Sequence, residues 1–210
     1  MEECSDLKHV RDILKRHTAN LSIDELDWLA TPKSKSIGET LLHISGFEFL
    51  IICAIKLGKS QKFDTTLWHD LKPGFAREAG FEAPRNSVQE TYSNLLELVR
   101  EDTVDFLRAH GPLVSKKEVQ LSELCRMLHA SSPTETGDNS SSDLGTYERL
   151  CGSVKNSFLD DAGPQSAATF DLITLLNLHE TYHRGQITLL RYLYRSRQEI
   201  HDERMFAPRT

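Results

Sequence analysis

Residues 179–186 read "HETYHRGQ" and lie inside a longer apolar repeat: Leu172, Leu175, Leu176, His179, Tyr182, His183, Gln186, Leu190 and Leu193 follow at steps of three and four. That period is one face of an α-helix. It predicts a helix from about Ala167 to Arg197, with both histidines and Gln186 where a bundle core expects leucine. Outward from it, the same period recurs and no two-residue alternation of a strand competes. Leu7, Val10, Ile13, Leu14 and His17 form one face over residues 5–20. Ser22 with Glu25, Ser36 with Glu39 and Ser87 with Glu90 have capping-box spacing. The second box opens a helix that runs to Leu57 and stops at Gly58. The third opens one carrying Val88, Leu95, Leu98, Val99 and Phe106 and ending at "HGP", 110–112. Residues 59–85, with Pro73, Gly74, Gly80 and Pro84, read as a long connection.

Four long helices imply an all-α, up-down four-helix bundle, one domain over residues 1–210. The connection between the third and fourth long helices is decorated. "SKKEVQLSELCRMLHA" and "DLGTYERLCGSVKNSFL" read as short helices flanking a polar stretch, 131–143, expected to be a mobile loop.

The 210 residues are 39% apolar, enough for one ordinary globular core. A net charge of −6 without a basic stripe argues against a nucleic-acid partner. The most apolar stretch, "LLHISGFEFLIICAIKLG" (41–58), is short for a membrane span and carries His43 and Glu48, so it reads as a core helix. The charged start, "MEECSDLKHV", lacks the apolar run of a signal peptide, and a cytoplasmic location is expected. Cys4, Cys53, Cys125 and Cys151 are scattered, without C-x-x-C, and read as free thiols of a reducing compartment.

A buried imidazole needs partners at both nitrogens, since an unpaired buried polar group costs about 1–3 kcal/mol. Helix carbonyls are already used, so two rings one turn apart are hard to satisfy from backbone. One metal ion satisfies both: residues i and i+4 project from one face about 6 Å apart, and bonds of about 2.1 Å let them converge. H-x-x-x-H alone is a weak motif. Nine histidines in 210 residues give roughly 0.4 such pairs by chance, and requiring the glutamate leaves roughly 0.03. On periodicity alone, a metal-binding pair and a satisfied pair of core histidines stand level. For a third ligand, His43 is the first choice, on the apolar face of the second long helix with Glu39, Phe47 and Leu50 near it. His17, on the stripe of the first helix, competes. His9, His69, His110, His129 and His201 lie in polar or loop-like contexts and read as solvated.

H-E-x-x-H is also the spelling of a zinc protease. The continuation "RGQITL" lacks the glycine and third histidine of the metzincins. Glu199, the acid a gluzincin would need, lies sixteen residues of unbroken helix beyond His183, roughly 24 Å along the axis. No sheet precedes the motif. Glu180 therefore reads as a helix-surface charge or a residue behind the ligands, not as a general base.

Together, "SIGETLLHISGFE" on the second long helix and "HETYHRGQITLLRYL" on the fourth resemble the DinB/YfiT-like superfamily of metal-binding four-helix bundles, as does the "NSVQETYSNLLELV" opening of the third. The resemblance covers most of the chain and implies that His43, His179 and His183 ligate a divalent ion, zinc or nickel. Open positions would remain for water or substrate. It also implies that Gly185 allows close helix packing and that Arg184 and Gln186 buttress or line the site. Tyr182, at the edge of the stripe, is a candidate proton donor; its bland reading is a core tyrosine with its hydroxyl at the rim. Family members often form dimers, so a homodimer is expected on the resemblance alone. Residues 129–165 exceed the family's usual third connection.

Three neutral imidazoles leave an ion its full charge and an open position, the pattern of a catalytic site. The leading expectation is a metal-dependent enzyme acting on a small molecule, most simply a thiol S-transferase that activates a low-molecular-weight thiol. The alternatives are a metal-dependent hydrolase using bound hydroxide, and a non-catalytic dimerisation module whose metal site is closed by a fourth protein ligand such as His17 or Glu48.

Overall fold

A computed structural model describes residues 3–57, 64–75, 83–110, 118–120 and 169–206. The described chain is almost wholly helical: α1 (Glu3–Thr18), α2 (Ile23–Asp27), α3 (Ile37–Leu57), α4 (Thr65–Leu71), a 3-10 turn at Lys72–Phe75, α5 (Gln89–His110) and α6 (Leu172–Phe206). Two three-residue strands, β1 (Glu118–Gln120) and β2 (Thr169–Asp171), pair antiparallel with Glu118 opposite Asp171. The expected loop at 131–143 and the connection at 129–165 lie outside the described residues.

The caps expected from sequence form at two of the three sites. At the start of α3 the Glu39 N–H donates to Ser36 Oγ (3.1 Å) and the Ser36 N–H donates back to Glu39 Oε2 (2.7 Å), so two orphan donors are satisfied reciprocally. At α2 the Glu25 N–H donates to Ser22 Oγ. The connection after α3 holds more structure than expected: α4, capped by Asp64, which accepts from the Leu67 N–H at 3.0 Å, and the 3-10 turn, both packed on α3.

The four long helices touch in a closed ring, α3 on α5, α5 on α1, α1 on α6 and α6 on α3. α3 is apolar nearly all round and is buried along most of its length, as that pattern requires. The core divides into two apolar clusters. One gathers Leu14, Leu41, Leu96 and Ile187, the other Phe47, Phe75, Val99 and Leu175. Set among them are the buried polar residues Arg11, His43, Glu48, Arg100, His179, Glu180 and His183.

That polar layer turns the faces of three helices from those the periodicity predicts. On α1 the buried line is Leu7, Arg11, Leu14 and Thr18, while Val10 and Ile13 are half-buried and His17 is exposed. On α5, Val88 (just ahead of the helix) and Leu98 face water and Arg100 and Thr103 are buried. On α6, Glu180 is buried, whereas Tyr182, Gln186 and Leu193 are exposed. The reason is the same each time: a charged side chain can occupy a core position when opposite charges on other helices meet it. Among the described residues no helix is long and apolar enough to cross a membrane.

Candidate metal centre

α6 carries His179 and His183 one turn apart on its buried face, and α3 brings His43 against them. The ring centroids lie 4.4 Å apart for His179 and His183, 4.8 Å for His43 and His183, and 5.3 Å for His43 and His179. All three are 3–4% exposed. One nitrogen from each lies within 4.8 Å of the other two, and the His179 and His183 Nε2 atoms are 3.1 Å apart.

Neighbouring residues hold the rings in place. The Gln186 side-chain oxygen lies 2.7 Å from His183 Nδ1. With the proton on Nδ1, the Nε2 lone pair is left facing the cluster. Phe47 stacks on His179 at 3.7 Å between centroids, and Phe75 lies 4.7 Å from His43. Gly74 brings the 3-10 turn against the α3 backbone: a Cβ there would sit 2.3 Å from the His43 nitrogen. Only glycine permits that approach.

Burial pushes the pKa of His43 and His179 well below the usual imidazole value, and Lys35 and the neighbouring rings add to this. Burial likewise takes His183 down to about 4, with Lys35 adding and the Gln186 contact opposing. At neutral pH all three are uncharged, the state a metal ligand needs.

The residues present fit a divalent ion. Each of the three buried, uncharged imidazoles offers one nitrogen to a shared point, and the Gly74 backbone acts on His43 from behind. Bonds of about 2.1 Å to a tetrahedral ion set nitrogens roughly 3.4 Å apart, close to the 3.1 Å of the α6 pair. Neither of the candidate fourth ligands joins them. His17 is exposed, with its Nδ1 3.4 Å from Thr188 Oγ1. Glu48 belongs to an ion-pair cluster.

That cluster is the feature sequence reading missed. Arg11 of α1 donates through Nε and Nη2 to the two oxygens of Glu180 on α6, each at 3.0 Å, and through Nη2 to Glu48 of α3 at 2.8 Å. Arg100 of α5 donates to Glu48 at 2.9 Å and to Glu180 at 2.6 Å. The guanidiniums also donate to the Leu96 and Leu7 carbonyls. Every long helix supplies one charge, two of each sign, all nearly inaccessible. Burial works against ionisation of Glu48, but Arg100 and Arg11 outweigh it and hold its carboxyl below the usual range. The same balance raises Arg11 against the effect of burial, through Glu180 and then Glu48. Glu180 is therefore neither a surface charge nor aimed at the histidines. A charged residue on each of four apolar stripes was the signal in sequence.

The cluster of rings opens on a cavity of about 420 Å³ whose lining includes Lys35, Thr40, His43, His183 and Gln186. Tyr182 is 52% exposed at its rim, with its ring 5.1 Å from that of His183. Gly185 meets nothing within 4 Å, so it makes no close helix contact among the described residues. Cys53 is a buried free thiol pushed up to about 12 by burial, which leaves it inert at neutral pH. Trp68 packs on Phe49 and Phe75 in the core, and His69 is exposed. No family model, no curated protein and no solved structure matches the chain.

Proposed function

We propose that this chain is a divalent-metal-dependent enzyme acting on a small molecule, with His43, His179 and His183 holding zinc or nickel, and that its reaction is transfer of a low-molecular-weight thiol to an electrophile. One observation carries this reading: three buried, neutral imidazoles from two helices converge beside a cavity open to solvent. The closed ring of four long helices supports an up-down bundle of the DinB/YfiT-like kind, the resemblance from which the thiol chemistry comes. That resemblance also supports a homodimer, which sedimentation tests; the scattered cysteines without C-x-x-C support a cytoplasmic location.

When bound, the ion supplies Lewis acidity that favours a thiol's thiolate form. The chain's own residues do the rest. Gln186 keeps the His183 proton on Nδ1, Phe47 fixes the plane of His179, and the Arg11–Glu180 pair fixes the turn of α6 that carries both histidines. Tyr182, at the rim, is the group placed to give a proton to a leaving atom.

The protein, purified without a histidine tag, should contain about one zinc or nickel ion per chain. Metal-loaded enzyme given a small thiol and a generic electrophile should turn over far faster than the His43→Ala variant. Equal rates would defeat the transferase reading, and thiol-independent turnover of esters or amides would replace it with hydrolysis on the same ligands.

A further inference from the structure

We infer that the small molecule this cavity takes carries an apolar body, alkyl or aromatic, and that Leu189, Leu190 and Leu193 select for it. The inference rests on reading the three histidines as the reactive centre, which makes the cavity beside them the substrate's. On α6 the flank that holds His183 continues past Gln186 to Leu189, Leu190 and Leu193, and all three leucines line the cavity. At 1.5 Å per residue Leu193 stands roughly 15 Å along the helix from His183, so the wall reaches well beyond the reactive centre. Leu190 is half-buried and packs on the core cluster that contains Ile187, which anchors the wall. Leu189 is 57% and Leu193 39% exposed.

A leucine exposed singly on a helix is ordinary. Three on one wall of a cavity that also reaches His43 and His183 form the pattern of a small-molecule site, where apolar lining supplies most of the contact and a few polar groups orient the ligand. The polar neighbours here are engaged with the chain itself. The Thr40 hydroxyl donates to the Ser36 carbonyl at 2.7 Å, and the Ser34 hydroxyl donates to the Thr31 carbonyl at 2.9 Å. The Lys35 ammonium lies over the Phe75 ring, 6.0 Å from its centre. The Gln186 oxygen is held 2.7 Å from His183 Nδ1. What meets an incoming molecule is therefore chiefly hydrocarbon, and an apolar body laid along α6 takes the exposed leucines out of water while its reacting group stands at the histidines.

Fluorescence titration of the full, metal-free chain with the neutral dye phenylnaphthylamine, displaced by butanol, hexanol and octanol, reads the wall directly. The dye should bind saturably, and each methylene added to the alcohol should tighten its binding about two- to four-fold. Leu189→Gln combined with Leu193→Gln should weaken both dye and octanol about ten-fold. Both positions are exposed and glutamine is a good helix former, so circular dichroism should show the fold unchanged. Leu178→Gln, at a leucine of α6 that is 46% exposed and not among the described residues lining the cavity, should leave both affinities as they are. No saturable binding, alcohol affinities independent of chain length, affinities that survive the double substitution, or equal losses in the two variants would overturn the inference. Equilibrium dialysis of zinc on the same samples keeps the two readings apart: absent zinc binding defeats the metal proposal, and the metal-free titrations still decide on the apolar wall.

Discussion

The adjacent residues His179 and Glu180 leave α6 about 100° apart, so one enters the imidazole cluster and the other the ion-pair cluster. The two groups should therefore answer differently to substitution. Glu180→Gln leaves two buried guanidiniums short of a counter-charge and should cost about 3–5 kcal/mol of stability, read by denaturant unfolding. A protease-type general base at this position would instead give a stable, inactive protein. Gln186→Leu removes the acceptor at His183 Nδ1 and should weaken metal binding about 10- to 100-fold with little loss of stability; competition with a chromogenic chelator measures it.

At the scale of elements, two glycines make opposite predictions. Gly74 faces the α3 backbone, which cannot yield as a flexible side chain would. Gly74→Ala should destabilise the protein by about 1–3 kcal/mol and loosen the 3-10 turn that sets Phe75 against His43. Near-wild-type unfolding of that variant would show that the turn is free to shift. Gly185 lies in open space on α6, so Gly185→Ala should add up to about 1 kcal/mol through helix propensity alone. The caps of α2 and α3 were legible because capping boxes are local. The rotational phase of α1, α5 and α6 was not, because an arginine or glutamate inside an apolar stripe reads as the stripe's edge until its partner is known.

For the whole molecule, the histidines couple stability to pH and to metal. The unfolded chain binds protons at imidazole near 6.5, whereas folded His183 does so only at about 4. Between those values the unfolded state holds more protons, so the metal-free protein should lose stability as pH falls from about 6.5 to about 4. His183→Leu should flatten part of that slope in melting curves. Because the three ligands span α3 and α6, an ion bound only by the folded state should raise the melting temperature. At a hundred times the dissociation constant the gain is about 2.7 kcal/mol, and a chelator should reverse it.

By itself the sequence determined the helical class, the caps of α2 and α3 and the presence of histidines on apolar faces, because periodicity and capping act within a few residues. Only the tertiary structure decided that His43 rather than His17 meets the α6 pair. It also decided that Arg11, Glu48, Arg100 and Glu180 neutralise one another, and that Lys35 stands beside the cavity. Those outcomes depend on which helices become neighbours and on their rotation, and the burial of a charge is tolerable only once its partner, up to 169 residues away in the chain, has arrived.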